Sequence, residues 1–177
     1  MAITPINDKV QSNLLAVYLQ DSNTDTQYDR VGSNCESLSI NLNTETTEYA
    51  DVTMATKQTD ISAYKTTVEG TGKFQSGDPV YDLFLSLWRD NKTGNAARKD
   101  MIIAYRFRED SSVAGKCEAD LYEGTSVSLT SFELTGADLM EVSFQLAANT
   151  TAVKGTIVCN SADNYKTASS WTPGVSA

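Results

Sequence analysis

The chain of 177 residues contains no histidine. Histidine is the side chain that most often acts as a general base near neutral pH and as a ligand to transition metals. Its absence excludes Ser-His-Asp and Cys-His catalytic groups and most zinc sites. The sequence also has no phosphate-binding glycine loop, no nucleophile elbow and no Asp-rich calcium loop. We therefore expect a protein that is not an enzyme and that has no cofactor and no metal.

Cysteine is scarce as well. The three cysteines, Cys35, Cys117 and Cys159, lie far apart, so there is no C-x-x-C pair for zinc or redox chemistry. We expect them to be small buried side chains in a reducing compartment. No apolar run is long enough to cross a membrane, and the N-terminus has neither region of a signal peptide. The sequence therefore predicts no membrane span and synthesis in the cytoplasm.

The net charge of −9 makes the chain a poor binder of nucleic acid, since affinity for phosphates comes from lysine and arginine. The basic residues gather near the middle of the chain, and the flanking segments are acidic. We predict that a central basic cluster contacts an acidic surface on a neighbouring copy, where charge complementarity sets register and rate. A solvated strand face next to a helix end is the alternative. The predicted cluster consists of Arg98, Lys99, Arg106 and Arg108.

Alternation of apolar and polar residues dominates the sequence and predicts half-buried β-strands. It is clearest in residues 38–42, 101–108, 117–122 and 141–146. Further strand candidates are residues 14–20, 64–70, 127–134 and 153–159. Threonine and valine are abundant throughout, as strands prefer. The chain is therefore predicted to be mainly β.

Residues 78–91 break this pattern and predict the one α-helix. Asp78 is a suitable N-cap, and Pro79 suits the first helical position. The apolar residues recur at helical spacing and predict a stripe that packs in the core. This stripe consists of Val80, Leu83, Phe84, Leu87 and Trp88.

Three polar stretches predict segments outside the compact part of a single domain that spans residues 1–177. They are an N-terminal arm at residues 1–13, a loop or hairpin at residues 43–60, and a C-terminal arm at residues 160–177. The C-terminal stretch is rich in small polar residues and is expected to order only on docking. Trp171 is an isolated aromatic in it, so we predict that Trp171 anchors the arm on a partner.

The order of these elements resembles that of the major tail (tail-tube) proteins of long-tailed siphophages, over roughly residues 10–160. The strongest local matches are Val31-Gly32, Asp60-Ile61-Ser62-Ala63-Tyr64 and Gly77-Asp78-Pro79-Val80-Tyr81-Asp82. The resemblance implies a β-sandwich or barrel with one flanking helix. It also implies hexameric rings whose inner strands join around a lumen and which stack into the conduit for genome ejection. The protein would then be assembled in the host cytoplasm and reside in the tail of the virion.

By position, the resemblance assigns residues 43–60 to contacts between rings. The predicted inter-ring residues are Glu45, Glu48, Tyr49, Asp51 and Met54. The implied partners are other copies of the chain, the tape-measure protein, the tail-tip proteins and the terminator protein. Double-stranded DNA would pass through an acidic lumen without specific binding.

Two other interpretations remain open. One is a different ring-forming protein, such as another phage tube protein or a type VI secretion tube subunit. The other is a β-sandwich that binds carbohydrate or a host receptor, which would need an exposed aromatic platform or calcium ligands. The loose candidates for such a platform are Tyr49, Tyr122, Tyr165 and Trp171.

Overall fold

The computed structural model describes residues 14–21, 26–32, 35–50, 56–73, 75–110, 112–134 and 140–174. These residues form one mainly β unit with a single sheet and one α-helix, as the alternation of the sequence predicts. The strands are β1 (Leu15–Gln20), β2 (Gln27–Val31), β3 (Cys35–Tyr49), β4 (Gln58–Lys73), β5 (Arg98–Glu109), β6 (Lys116–Glu133), β7 (Glu141–Ala147), β8 (Val153–Cys159) and β9 (Thr167–Pro173). The helix α1 is Pro79–Arg89, and short 3-10 helices occupy Gly94–Ala97 and Ser161–Asp163.

Part of the sheet closes into a barrel. The strands β5, β1, β2, β9 and β8 follow one another, and β8 then pairs with the first half of β6, which also pairs with β5. The interior contains mostly small or aromatic side chains, as a narrow barrel requires. Those buried there include Ala16, Tyr18, Ile102, Ala104, Cys117, Ala119, Ile157, Cys159 and Ala168.

The second half of β6 leaves the barrel and carries a four-stranded antiparallel extension in the order β6-β7-β4-β3. Ala119 pairs with Ala104 of β5 and with Gly155 of β8, so these strands lie on opposite sides of β6. Ser126 likewise pairs with Arg98 of β5 and with β7. Therefore β8 and β7 follow each other along the same side of β6.

The helix α1 packs against this extension and against the outer face of β1, β2 and β5, and together they form the second core. The Oδ1 atom of Asp78 accepts hydrogen bonds from the amides of Val80 and Tyr81, at 3.0 and 3.4 Å, which confirms the predicted N-cap. The ring of Phe84 lies 4.9 Å from that of Phe144 on β7. Four residues of the predicted stripe are thus buried against the sheet: Val80, Leu83, Phe84 and Leu87.

Trp88 departs from the predicted core position. It is the last residue of the apolar stripe, and 59% of it is exposed. Its ring stands 5.2 Å from that of Phe132 near the end of β6. The prediction was wrong because helical periodicity does not show where the sheet beneath the helix ends.

The C-terminal residues also differ from the expected arm. Residues 161–163 form a 3-10 helix, and β9 fills the barrel between β2 and β8. Trp171 is partly buried against the barrel's own interior cluster. Ser170 has a positive φ of 58°, and the β8–β9 ladder shifts register, so this strand lacks the alternation that predicts strands elsewhere. The N-terminal arm predicted at residues 1–13 lies outside the described residues.

Gly115 and Gly77 provide a test of the barrel's packing. Both have a positive φ, of 77° and 86°, but a Cβ on Gly115 would collide with the carbonyl oxygen of Cys159, whereas Gly77 faces open space. We expect Gly77→Ala to cost about 1 kcal/mol from backbone strain alone. Gly115→Ala should cost about 3 kcal/mol or more, since the β6–β8 joint must shift. Urea denaturation of both variants measures the difference, and equal losses would contradict this packing.

Candidate assembly interface

A long hairpin is the most exposed feature of the described chain. The strand β7 pairs with β4 only over residues 67–73, so the outer parts of β3 and β4 have only each other as partners. The unsupported part of β3, residues 42–49, extends about 26 Å beyond the ladder with β7. It coincides with the loop or hairpin that the sequence predicts at residues 43–60, and residues 51–55 lie outside the described part.

Polar pairs link the two strands of the hairpin. The carboxylate of Glu45 lies 2.5 Å from the ammonium of Lys65, and that of Glu48 lies 3.5 Å from Lys57. The Tyr49 hydroxyl donates to the side-chain oxygen of Gln58 at 2.6 Å. Exposed pairs of this kind contribute about 0–1 kcal/mol each, so they orient the hairpin more than they stabilise it. The predicted inter-ring residues Asp51 and Met54 lie outside the described residues.

Three exposed apolar residues on the hairpin were not among the predicted site residues. Leu42, Ile61 and Tyr64 are 58%, 56% and 60% exposed. Leu42 and Tyr64 continue the face of the sheet that packs under α1, because residues 40, 42 and 44 of β3 share one side. Leu42 continues the alternation of Leu38 and Ile40 in the sequence, which could have indicated that it shares their face of the sheet. The polar residues around it led to the prediction of a polar loop or hairpin instead.

The face of the extension turned away from α1 is polar, and we call it the polar face. It follows from strand alternation, because the opposite row of Ile40, Val68, Leu146 and Val127 packs in the core. A shallow depression of about 410 Å³ lies on it. Three rows of cross-strand partners, each running from β3 to β6, form the centre of the polar face. They are Ser37-Thr71-Ser143-Ser131, Ser39-Glu69-Gln145-Ser128 and Asn41-Thr67-Ala147-Ser126.

The charges on the polar face are mostly negative. Lys73 lies 2.8 Å from Glu141 and 3.5 Å from Glu36, and the hydrogen bond to Glu141 is the main cause that raises the pKa of Lys73. The second lysine of this face, Lys65, pairs with Glu45 of the hairpin. Two further carboxylates, Glu69 and Glu133, have no salt-bridge partner among the residues that the structure describes, although Gln145 donates to Glu69 at 2.6 Å.

The predicted basic cluster is divided into two pairs. Arg98 and Lys99 begin β5, whereas Arg106 and Arg108 lie near its other end, about 26 Å away for a strand of regular rise. Arg108 lies 2.6 Å from Glu118, and the guanidinium of Arg106 stacks over the ring of Tyr165 at 3.4 Å. Both pairs lie on the same strand, but an extended strand places residues that are eight positions apart far from each other in space. Contact of either pair with a neighbouring copy remains a prediction.

The extension has two open edges. The strand β3 pairs with β4 alone within the described ranges. The strand β6 pairs with β5 only up to Ser126, so on that side residues 127–133 face no strand of the described chain. Open edges present unpaired backbone amides and carbonyls, which a protein must shield or use for association.

One hydrogen bond determines which amides point outward at these edges. The amide of Ala148 donates to the carbonyl of Thr66 at 3.0 Å, in register with the β4–β7 ladder. Hydrogen-bonded and non-bonded pairs alternate along antiparallel strands. This alternation can be followed from β4 and β7 to the two edge strands. The amides that point toward the open edges belong to residues 38, 40 and 42 of β3 and to residues 127, 129 and 132 of β6.

No group of three or more metal-binding side chains occurs among the described residues. Within the same ranges, no helix is long and apolar enough to cross a membrane. The aromatic residues considered as a binding platform are dispersed: Tyr49 lies on the hairpin, Tyr122 is buried, and Tyr165 and Trp171 pack on the barrel.

The fold matches solved tail and tube proteins. A chain in the tail of an empty gene transfer agent particle with C6 symmetry aligns with a TM-score of 0.58 and 12% identity, over 81% of this chain and 97% of that one. A chain of the native gene transfer agent virion gives 0.55 and 11% over 81% and 97%. The tube-terminating cap of an anti-feeding prophage gives 0.50 and 16% over 84% and 95%.

These identities are low, so the likeness establishes the fold alone. The chain has the fold of these tail and tube-cap proteins, which confirms the predicted mainly β, tail-tube-like fold class. No family model and no curated protein matches the sequence.

The direction of the edge amides can be tested with two neighbouring proline variants. Asn43→Pro removes an amide that bonds Lys65 across the hairpin, whereas Leu42→Pro removes one that points outward. Each proline variant is compared with the alanine variant of the same residue, because the Asn43 side chain also donates to Lys65 and Thr67. We expect Asn43→Pro to lower the free energy of unfolding of the monomer by about 1–2 kcal/mol more than Leu42→Pro. Urea denaturation of the two variants measures this difference. A larger loss for Leu42→Pro would show that the assigned direction is wrong.

Proposed function

We propose that the chain is the tube subunit of a siphophage tail, and that it forms hexameric rings which stack into the conduit for genome ejection. One observation carries the proposal: a four-stranded sheet with a polar face, an apolar face under a helix, and an open edge on each side. A sheet of this kind can join its own copies edge to edge. The fold shared with a tail chain of C6 symmetry supports six copies in a ring.

The polar face lines the lumen in this proposal, and α1 lies outside. Hydroxyl and amide side chains present a hydrated surface that offers DNA no cluster of cations. The two face lysines are paired with carboxylates, and Glu69 and Glu133 leave an excess of negative charge. Like charge keeps the DNA backbone from binding the wall. Double-stranded DNA therefore passes without specific recognition.

The hairpin of β3 and β4 makes the contacts between rings. It projects along the strand direction, which is the direction in which stacked rings follow one another when strands surround a lumen. Its apolar residues Leu42, Ile61 and Tyr64 supply the buried area, and the pairs formed by Glu45 and Glu48 orient it. A head-to-tail contact of this kind is heterologous and propagates without limit.

The role is structural, with assembly in the host cytoplasm and residence in the virion tail. Its partners are other copies along the tube, the tape-measure protein inside it, and tail-tip and terminator proteins at its ends. No cofactor takes part. Assembly uses backbone hydrogen bonds and apolar contacts that the sheet edges and the hairpin already present.

A tube terminator is the second candidate, because the fold is also shared with a tube-terminating cap. A terminator closes one ring and stops growth, whereas a tube subunit must bind copies on both sides. The exposed apolar hairpin favours the tube subunit, because a stacking contact needs such a projection. Single rings that never lengthen would favour the terminator.

Negative-stain electron microscopy of the concentrated protein, with its mass in solution, tests the proposal first. We expect hollow tubes or six-fold rings, because edge pairing and hairpin contacts both become favourable as concentration rises. A monomer that also stays inert with purified tail-tip complexes would refute the proposal.

Leu42→Asp with Ile61→Asp should leave rings but abolish tubes, and Val113→Asp, at an exposed site on the barrel side, is the matched control.

A helical reconstruction of such tubes tests the orientation of the sheet. The row of Ser39, Glu69, Gln145 and Ser128 should face the axis, and α1 should lie farther out. The physical reason is that the wall of a water-filled lumen must be hydrated, which favours the polar face over the apolar face that packs under α1. A map with α1 at the lumen would contradict the assignment of the polar face while leaving tube formation intact.

A further inference from the structure

We propose that Cys117 and Cys159 are a site of covalent modification, at which a peroxide converts two thiols into an intrachain disulfide that locks the closure of the barrel. We call these two residues the thiol pair. The proposal concerns two residues of one chain, so it does not depend on the proposed function. It gives a use to the two cysteines that the fold buries.

The thiol pair lies inside the barrel, across the ladder that closes it. The Sγ atoms of Cys117 and Cys159 are 3.7 Å apart, and 1% of each residue is exposed. Cys117 pairs with Ile157 of β8, so Cys159 is its diagonal neighbour on the same face of the sheet. The third cysteine, Cys35, packs against the other core. Each sulfur of the thiol pair therefore has the other as its sulfur neighbour.

The ends of two strands can supply the remaining approach. The sulfur atoms of a disulfide are about 2.05 Å apart, so those of the thiol pair must move about 1.6 Å closer. Cys117 is the second residue of β6 and Cys159 is the last residue of β8, and the ends of elements open more readily than their centres. The Cys159 amide donates to the carbonyl of Gly115 at 2.8 Å, and a glycine there allows this close approach of the two strands. Rotation of the two side chains with a small shift of the strand ends therefore completes the bond.

The two thiols differ in acidity, and the difference assigns their roles. The hydrogen bond between the sulfurs lowers the pKa of Cys159, and the positive charges of Arg106 and Arg30 act in the same direction. The same hydrogen bond, together with burial, raises the pKa of Cys117. The thiolate is the nucleophilic form of cysteine. Cys159 is therefore the residue that attacks the oxidant, and Cys117 is the residue that closes the disulfide.

A peroxide is the class of oxidant that suits this site. The barrel interior is filled by the side chains of its own strands. A bulky oxidant such as a glutathione disulfide would have to open the barrel to reach the sulfurs. Hydrogen peroxide is little larger than water, so a brief local opening at the strand ends admits it.

The reaction takes two steps. The Cys159 thiolate attacks one oxygen of hydrogen peroxide, the O–O bond breaks, and the sulfur becomes a sulfenic acid while hydroxide leaves. The sulfur of Cys117 then attacks the sulfenic sulfur, so that the S–S bond forms and the S–O bond breaks. The two departing hydroxides take up the protons that the two thiols have lost. In total the thiol pair gives up two electrons and two protons, and one peroxide becomes two waters.

The bond would staple the barrel where it closes. The first half of β6 pairs with β5 on one side and with β8 on the other, and the second pairing completes the barrel. A disulfide across it joins residues 117–159 into a covalent loop that contains the rest of β6 and all of β7 and β8. Such a loop restricts the unfolded chain, which stabilises the folded one. The strand β8 is then unable to separate from β6 at this end.

The compartment determines when the bond forms. Thiols persist in a reducing cytoplasm, and disulfides persist outside it. A chain made in the cytoplasm therefore folds with the thiol pair reduced and acquires the bond after release. Under the proposed function, the release of virions would be that event.

Peroxide treatment of the unassembled Cys35→Ser chain tests the proposal. This variant retains the thiol pair and no other cysteine. We expect the intact mass to fall by about 2 Da, the mass of two hydrogens, and dithiothreitol to restore both thiols. Trypsin should release residues 117–154 joined to residues 155–166, because lysine precedes each of these segments and ends it. Unchanged thiols, a gain of oxygen without a cross-link, or a disulfide between two chains would overturn the proposal.

The effect on the barrel is measured by heating. We expect the thermal midpoint of oxidised Cys35→Ser to lie about 5 °C or more above that of the same sample after reduction. Cys35→Ser with Cys117→Ala is the matched control, in which peroxide should raise nothing. The comparison of one chain before and after reduction stands even where the control folds poorly. Equal midpoints would show that the bond does not lock the barrel.

The roles of the two thiols are separated by trapping. In Cys35→Ser with Cys117→Ala, the sulfenic acid on Cys159 has no thiol to close on, so denaturation in dimedone after peroxide treatment should label it. Cys35→Ser with Cys159→Ala should give about tenfold less adduct, because the Cys117 thiol is the less acidic one. Equal labelling of the two chains would overturn the assignment of Cys159 as the attacking residue.

Discussion

The architecture depends on one strand that changes partners along its length. The strand β6 has 18 residues, more than globular strands usually have. Its first half pairs with β5 and β8 and closes the barrel, and its second half carries β7, β4 and β3. The barrel and the extension therefore share a continuous backbone. Alternate residues of β1 and β5 belong to the barrel interior and to the layer under α1, so these two cores lie on opposite faces of one sheet.

This arrangement gives each part of the chain a different task. The barrel has buried its edges and supplies rigidity, since closure removes the open strands that invite association. The extension keeps its edges, which would supply the surfaces for the proposed association. The helix protects the apolar side of the extension, and the polar side remains accessible to water. A single sheet thus combines a closed barrel with an extension whose edge strands lack partners within the described residues.

Most strands and the helix could be predicted from the sequence, because burial on one side leaves a periodic record. Val142, Phe144 and Leu146 alternate with polar residues because one side of β7 faces α1. Where both sides of a strand are exposed, as in the outer hairpin, the alternation of apolar and polar residues is weak. The prediction for residues 43–60 therefore stayed open between a loop and a hairpin. The strand β9 was missed because Ser170 and a register shift interrupt its alternation.

The candidate site was less predictable, because it depends on which strands are neighbours. The polar rows across β3, β4, β7 and β6 bring together residues up to about a hundred positions apart. Spacing in the sequence suggested one basic cluster where strand β5 places two separate pairs. The exposure of Trp88 depends on where the sheet ends beneath α1, and no local pattern reports that.

In the proposed ring, the matching edges of the extension leave the number of copies undetermined. Matching edges would form the same hydrogen bonds in a ring of five, six or seven copies. The hydrogen-bond pattern of the backbone therefore does not determine the number of copies. The bend of the sheet must do so. The register shift of β6 between Leu129 and Ser131 lies next to the open edge, and a shift of this type sharpens local curvature. In the proposed tube, the insertion of a single residue in β6 would thus help to set the bore of the channel.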